Sequence, residues 1–576
     1  MSTPPEATGK AVPKLRDDTT RFLCGAAHRD EEFADSAIRE YLVEATRSIP
    51  RSPGVNAGAV LREAVAARTR RKVRDSLALV LAVVALFAGS GTFLGAWFLV
   101  AVGAALATSA RPAFERKPRQ ALPPHMRGPL ALGTIASVIA LFFVLYKFTE
   151  DLAAADRYSS YYWEEYEPES YDAGLAITIV AVILLFAVLL ADRVVVWLLV
   201  TKSFRRTHFR TSAGEEGLWR NEWKLRRLGH SSYVEALALY PVDEDEEPDD
   251  PDAAQVVVYH GYRPFVGSGT MFEPWSMALP LKPARGAKTD VPLPGFTLVE
   301  LYEHLTAELL KTGRSPSLSP GHRLRELRTS DKVVVSSVEL VDHIDDEAAR
   351  IVLPDRDHSP RTTVDRSVVD GLVSRPMEWM RHYRAFQVET WDRDVVVSAY
   401  LTFGLDDEML YAEWTPCILH PIVERHREID VLPEQSGRPL LEAAADLVRF
   451  PATLAKRFAT AVSWMTPIHQ AEGTFVAERY GAKTSLRELA SRKEVDNYFQ
   501  LTDVERYIKV LESRLLRTLG EFLESRGISV TEFMEQAMQV TNNNVHITGP
   551  VISSNIATAG KARTGDTSIR KAKERS

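Results

Sequence analysis

Apolar residues dominate one part of the chain, between Ser76 and Val200, and polar residues interrupt them elsewhere. A helix needs about 20 apolar residues to cross the hydrocarbon core of a bilayer. The pattern predicts two such spans and, before them, a longer run that Gly89–Gly91 divides into two short helices. These two form a hairpin or, alternatively, a re-entrant loop that does not fully cross. The four predicted segments are 77–88, 92–110, 129–148 and 174–200.

The charges that flank these runs predict their orientation. Basic residues crowd 68–74, 111–128 and 202–210, whereas the loop 149–173 holds eight acidic residues and one arginine. Because basic flanks stay on the cytoplasmic side, the acidic loop is expected outside and both termini inside. The pattern thus predicts a multi-pass protein of the cell membrane.

Outside the apolar region the pattern of the chain changes. Runs rich in Val, Tyr, Phe and Trp predict strands, interrupted by a helix at Leu298–Leu310, and three runs over 383–417 predict a meander. We therefore expect a cytoplasmic α+β domain with a largely antiparallel sheet. The predicted organisation is a disordered segment 1–20, a helical segment 21–75, a transmembrane region 76–200, the α+β domain 201–432, a helical region 433–540 and a polar tail 541–576.

One stripe in the helical region has the spacing of a coiled-coil seam. It consists of Val504, Ile508, Leu511, Leu515 and Phe522. Such a seam could join protomers into a homo-oligomer, or it could pack onto its own domain, because it covers barely three heptads.

The tail beyond residue 541 alternates apolar pairs with Asn, Ser, Thr and Gly, a pattern that could add strands to a protein partner.

Composition narrows the classes of function. The net charge is −7, from 70 basic and 77 acidic residues, whereas nucleic-acid binders usually carry a basic excess, so no nucleic acid is expected as a partner. Two cysteines, Cys24 and Cys417, exclude a disulfide-stapled scaffold. Asp192-Arg193 lies near the cytoplasmic end of the last predicted span, which favours an interfacial ion pair over an ion pathway.

The motifs of familiar enzymes are missing from the sequence. It contains no phosphate-loop motif, no dinucleotide-binding glycine fingerprint after a strand, no H-E-x-x-H and no G-x-S-x-G. Acidic and histidine residues cluster over 342–358 without the regular spacing of a metal site. Cys417 ends an apolar strand, as expected of a buried, inert thiol. We therefore predict no metal and no cofactor, and no catalytic residue can be named.

One glycine-rich loop is the preferred candidate for a contact site. It follows a predicted strand and offers backbone N–H groups together with aromatic and basic side chains. It lacks the lysine and the helix start of a phosphate loop, so a purely structural loop is the alternative. The candidate contact residues for a ligand or partner are Gly261, Tyr262, Arg263, Phe265, Gly267 and Gly269.

Four segments together resemble a known family. They are Phe22–Glu40, the Pro53-Gly-Val break, Val257–Gly269 and Arg381–Val388, and the similarity spans most of residues 20–540. They are similar to a family of uncharacterised multi-pass membrane proteins from actinobacteria. The resemblance implies membrane hairpins with a large cytoplasmic domain, and it implies no activity and no site residue.

These observations lead to one function hypothesis and two rivals. The leading hypothesis is a membrane-anchored cytoplasmic module that binds or regulates a protein partner and uses the lipid bilayer as its anchor. The rivals are a membrane enzyme with a pocket in the α+β domain and a small oligomeric channel. The missing motifs favour binding over catalysis.

Overall fold

The computed structural model describes most of the chain outside one long stretch. The described residues are 17–88, 171–205, 253–284, 295–314, 327–432, 437–463 and 475–543, apart from single positions at 45, 392, 494 and 496, together with 209, 237 and 324. The predicted segments 92–110 and 129–148, the acidic loop 149–170 and the tail beyond 543 lie outside these residues.

The N-terminal segment folds as helices that pack on the C-terminal half of the chain. These are α1 (Asp17–Arg29), α2 (Glu31–Ile38), continued by a π turn Arg39–Val43, and α3 (Ala57–Ala88). Asp30 caps α2 by accepting hydrogen bonds from two backbone N–H groups of its first turn. The cluster that buries Leu23 and Leu61 also includes Ile429 and Leu486, so residues 21–75 share a core with residues 420–490.

The expectation of about four membrane spans is wrong. Among the residues that the structure describes, one helix is long and apolar enough to cross a bilayer. It runs from Ala176 to Ser203, within α4 (Tyr171–Leu198) and the π turn Leu199–Ser203, and its apolar window has a mean hydropathy of 2.8 with 28% buried inside the protein. The first predicted span, 77–88, is the end of α3, whose first half is charged and partly buried. The helical segment predicted over 21–75 and the apolar residues 77–88 thus belong to one continuous helix.

Eight strands form one sheet. They are β1 (Ala253–Tyr259), β2 (Thr270–Met271), β3 (Trp275–Pro280), β4 (Arg328–Ser336), β5 (Thr363–Asp365), β6 (Met380–Thr390), β7 (Val395–Leu405) and β8 (Met409–Leu419). The order is β2-β8-β7-β6-β4-β1-β5, with β3 also paired to β8. β6, β7 and β8 form the predicted meander.

The sheet is largely antiparallel but mixed, because β1 and β4 run parallel next to the edge strand β5, whereas the other pairings are antiparallel. Parallel neighbours need a crossover connection. The helix α5 (Leu298–Arg314) lies in that connection. The sequence predicted this helix, but it did not indicate that β4 would run parallel to β1. The fold is α+β with a mixed sheet.

Further helices surround the sheet and its extensions. They are α6 (Ser337–Asp342), α7 (Glu347–Val352), α8 (Arg366–Ser374), α9 (Glu424–Arg427), α10 (Arg438–Val462), α11 (Ala477–Tyr480), α12 (Leu486–Leu489), α13 (Tyr498–Ser525) and α14 (Thr531–Asn543). The largest core lies where α5, α8 and α13 cover one face of the sheet. A smaller cluster, with Phe265, Tyr383 and Tyr400, lies on another part of the sheet.

The coiled-coil seam predicted in the helical region is not supported. All five of its residues lie on α13 and are buried within the same chain. Val504 and Ile508 pack with Val395 and Val397 of β7, and the Phe522 ring meets Phe296 edge-on at 5.2 Å between centroids. The stripe therefore packs within the protein's own core and is not exposed for contact with a second protomer.

Candidate functional site

The glycine-rich loop, residues 260–269, joins β1 to β2 and divides into an exposed tip and a buried base. Gly261, Tyr262 and Arg263 form the tip, where the Tyr262 side chain is 88% exposed. Gly261 has φ +92°, and a Cβ there would meet nothing within 4 Å. The space around Gly261 is thus open, and the Tyr262 side chain is available for contact.

Phe265 belongs to the base of the loop and is buried. Its ring stacks on Tyr400 with 4.0 Å between centroids and meets Tyr383 edge-on at 5.0 Å. A side chain that is 4% exposed in such a cluster contributes to folding rather than to a contact surface. Phe265 therefore differs from Tyr262 in role, although the sequence grouped the two together.

Gly267 and Gly269 hold an anion that the chain itself supplies. Both have positive φ, +97° and +85°, and a Cβ would lie 2.5 Å from the Arg51 carbonyl oxygen at one and 2.1 Å from that of Ile418 at the other. Their N–H groups donate to one oxygen of Glu488, at 3.0 and 2.8 Å. The loop is an anion cradle, and it is filled by a carboxylate.

Glu488 is held in place by its own helix start. Its second carboxylate oxygen accepts the Ser485 N–H at 2.8 Å, and its backbone N–H donates to the Ser485 hydroxyl at 3.3 Å, which completes a capping box at α12. The run Ser485-Leu-Arg-Glu488 is the sequence signal for this box. Nothing in the sequence links it to a loop more than two hundred residues earlier.

A closed polar network lies under the loop. The Ser268 hydroxyl and the Tyr400 hydroxyl are 2.5 Å apart, and the Lys332 ammonium donates to Tyr400 at 3.1 Å. All three side chains are buried, and Cys417 lies in the same cluster, where burial raises the pKa of its thiol to about 12. The network orders the packing of the loop base, and the thiol is inert, as the sequence predicted.

A second polar cluster, which the sequence did not single out, pairs a histidine with a carboxylate. His382 on β6 and Asp331 on β4 meet with 2.6 Å between Nε2 and Oδ1, and the Arg384 Nε lies 3.0 Å from the same oxygen. The strands bring them together because Asp331 is in register with Arg384. Burial opposes ionisation, yet the hydrogen bond from His382 and the charge of Arg384 lower the pKa of Asp331 below its ordinary value.

Tyr302 of α5 completes this cluster. Its ring meets the His382 imidazole edge-on at 5.2 Å, and its hydroxyl accepts the Phe403 N–H at 2.8 Å. Burial raises the pKa of Tyr302 to about 12, so the phenol is neutral. The buried Nδ1 of His382 has no hydrogen-bond partner within the described part of the chain. Nδ1 of His28 and of His426 share this property, so it becomes informative only together with the surroundings of His382.

His382 also lines an open cavity of 310 Å³ at the end of β6, β7 and β8. Arg381 and Glu413 lie opposite each other in its wall, with 4.0 Å between their nearest charged atoms. Other polar lining residues are Tyr302, Glu378, Thr402 and Tyr411. The volume falls in the range of small-molecule sites, about 300–1,000 Å³. A cation and a carboxylate in one half-open cavity fit a small polar molecule that carries both an acid group and a donor.

The other residues considered from the sequence are paired locally. His343 lies 2.8 Å from Asp346, and His358 lies 2.7 Å from Asp355, each one turn apart on the surface. Among the described residues, no group of three or more His, Cys, Asp or Glu side chains could hold a metal ion.

The sequence did contain a signal for the cavity. In β6 the charged and polar residues Arg381, His382 and Arg384 lie close together in the first half of the strand, and β4 carries Asp331. A buried strand with such residues is typical of a polar site. The register between β4 and β6 could not be predicted from the sequence.

Comparison with known proteins identifies one domain. Residues 274–556 match the model of the AbeC-like domain, an uncharacterised family. The cavity and the His382–Asp331 pair lie within the matched residues, whereas the loop tip at 261–263 precedes them. Neither a curated protein nor a solved structure matches the chain.

Proposed function

We propose that this protein is a membrane-anchored cytoplasmic module that binds a small polar ligand in the cavity beside His382. The observation that carries the proposal is the cavity itself, in which Arg381 and Glu413 present opposite charges next to a histidine with an unmet nitrogen. Arg381 would take a carboxylate or phosphate of the ligand, and Glu413 a hydroxyl or amine. The ligand class is thus a small zwitterion or hydroxy acid.

The proposed anchor is α4, in the cell membrane with the AbeC-like domain on the cytoplasmic side. Ion pairs connect this helix to the rest of the protein where its apolar part ends. Asp192 pairs with Arg70 and Arg74 of α3 at 3.1 Å each, and Arg193 pairs with Asp446 of α10. These contacts support a fixed connection between anchor and domain. The assignment to an actinobacterial membrane family belongs to this proposal, as does the exposed loop tip as a contact for a protein partner.

Ligand binding can be tested with the purified full chain in detergent. A panel of amino acids, dicarboxylates and mononucleotides is screened by thermal shift, and copurifying molecules are identified by native mass spectrometry. Arg381→Met and Glu413→Gln are expected to abolish the shift that a hit produces. Arg263→Met, on the exposed loop tip, is the matched control and keeps it. A hit that survives both cavity substitutions, or a panel without hits and no copurifying molecule, would contradict the proposal.

A membrane enzyme remains the second candidate, because a carboxylate that orients a histidine is a common acid–base arrangement. Here Asp331 fixes Nε2 of His382 and leaves Nδ1 for a proton. The same screen decides between the two functions. Chemical conversion of a bound molecule by the wild type, lost in His382→Gln, would favour catalysis, whereas recovery of the unchanged molecule favours binding.

A further inference from the structure

Helix α10 carries an exposed apolar face that extends along most of the helix. The exposed fractions are 50% for Leu440, 72% for Leu441, 40% for Val448, 61% for Phe458 and 54% for Val462. At 3.6 residues per turn these five fall within an arc of roughly 100°. No charged residue of the helix falls in that arc. An exposed apolar patch rimmed by polar residues marks an interaction surface.

The charged residues of α10 share the opposite side. They are Arg438, Glu442, Asp446, Arg449, Lys456 and Arg457. Between the two sides lies a third face, formed by the buried Ala443 and Phe450, which packs on Ala78 of α3 and on Leu185 and Leu189 of α4. The helix is therefore fixed to the proposed anchor along one side and leaves its apolar side uncovered.

Ion pairs locate α10 along the anchor. Arg457 pairs with Asp75 of α3 at 2.7 Å, and Asp446 near the other end pairs with Arg193 of α4. Asp75 and Arg193 lie at one level, because Arg74 pairs with Asp192 at 3.1 Å. The helix thus runs across α3 and α4, at the level where their apolar stretches give way to charge.

The two helices on which α10 packs also expose apolar side chains. On α3, Val80 is 61% and Phe87 85% exposed, and on α4, Val180 is 54% and Ile183 59% exposed. Apolar side chains exposed on a candidate span and on the helices packed against it fit a bilayer better than one protein partner, because lipid covers all three helices at once.

The charged side of α10 fits lipid head groups. Together with α4 it borders a cavity of 280 Å³ whose lining includes Arg29, Arg193, Arg438, Arg449 and Trp197. The lining also includes Glu442 and Asp446, which pair with Arg438 and Arg193 respectively. Arginine and tryptophan are the residues that concentrate at the membrane–water interface. Arg449 makes no ion pair within the described residues, so it is free to meet a phosphate.

From these observations we infer that α10 is an interfacial helix, which lies in the plane of the cytoplasmic membrane surface with Leu441, Val448 and Phe458 among the acyl chains. The inference rests on the membrane anchoring proposed above and adds that the AbeC-like domain itself contacts lipid. The domain is then held in one orientation at the surface rather than suspended from a single helix.

The test uses an environment-sensitive fluorophore on single cysteines introduced into the full chain. The natural Cys24 and Cys417 are buried, so they label little, and the unmutated chain gives the background. The probe positions are Phe458 on the apolar side, Lys456 on the charged side as its matched control, and Ile183 on α4 as a report on anchoring. Each protein is reconstituted into phosphatidylcholine vesicles with phosphatidylglycerol, with and without doxyl-labelled quencher lipids.

We expect blue-shifted emission and lipid quenching at Phe458 and Ile183, and neither at Lys456. Quenching at Ile183 alone would overturn the inference and leave the anchoring intact. Quenching at neither position would overturn the anchoring and the inference with it. A blue shift at Phe458 without lipid quenching would show that protein covers the helix, and equal quenching at Phe458 and Lys456 would show no orientation; both outcomes contradict the inference.

Discussion

Glu488 occupies the anion position of the glycine loop and accepts the Gly269 N–H at 2.8 Å. A loop with exposed N–H groups usually receives its anion from outside, as in phosphate sites. Here the anion comes from a helix cap on the same chain, and Gly267 binds the same oxygen. The loop therefore connects the β1–β2 region of the sheet to α12, which lies far away in the sequence.

The first prediction concerns this junction. Glu488→Ala leaves the N–H groups of the cradle and the Ser485 N–H without their acceptor, which should lower the free energy of unfolding by about 1–3 kcal/mol for each buried donor left unmet. Glu488→Gln retains an acceptor and should cost less. Thermal unfolding of the wild type and the two variants in detergent measures their relative stability. Equal stability of the alanine variant and the wild type would show that water satisfies the donors.

The second prediction separates the two aromatic residues of the loop. Phe265→Ala removes a ring that stacks on Tyr400 and should destabilise the protein by about 3–5 kcal/mol. Tyr262→Ala, at a side chain that is 88% exposed, should leave stability unchanged. Denaturant unfolding compares them. A destabilising Tyr262→Ala would mean that the tip is packed rather than free.

The meander β6–β8 was predictable, because three apolar runs are separated by short turns and strand alternation alone specifies such local pairing. The parallel pair β1·β4 was not, since it depends on how α5 crosses the sheet. The cavity illustrates the same limit. Arg381 and His382 stand out in β6, but only the register that sets Asp331 opposite Arg384 creates the buried pair.

The prediction of the membrane spans was wrong for a different reason. Hydropathy scores each window alone, so it indicated residues 77–88 as a short span of their own. The structure continues this stretch backwards into the charged part of α3, where Arg70 and Arg71 are buried by contacts with α1 and α4. Tertiary contacts can bury a charged helix turn, and no window of sequence reports them.

The third prediction concerns the ion pair between Arg457 and Asp75, whose side chains are 10% and 1% exposed. Breaking a buried pair leaves an uncompensated charge, which costs about 3–5 kcal/mol. Asp75→Asn should therefore destabilise strongly and loosen α10 from α3. The exposed pair Arg438–Glu442 is the matched control, and Glu442→Gln should cost at most about 1 kcal/mol. Similar losses in both variants of the full chain would contradict the buried role of Asp75.

The fourth prediction is a dependence of stability on pH through Asp30. Burial opposes its ionisation, but hydrogen bonds from His426 and the Phe33 N–H, with the charge of Arg425, lower the pKa of Asp30 to about 2. A carboxylate with a depressed pKa in the folded state stabilises the protein above its unfolded pKa, and this contribution disappears as the pH falls through the folded pKa. The window therefore runs from about pH 4 down to about pH 2.

Asp30→Asn isolates this effect, since asparagine can still cap α2 while it carries no charge. At pH 6 the wild type should be more stable than the variant by on the order of 1 kcal/mol, because a pKa difference of one unit corresponds to about 1.4 kcal/mol and solvent screens part of the interaction at this half-buried site. The difference should shrink as the pH is lowered through the window and approach zero near pH 2. Unfolding of both proteins across that range measures it. A difference that stays constant with pH would mean that Asp30 acts through its shape and hydrogen bonds alone, and that its charge contributes nothing to the contact between α2 and α9.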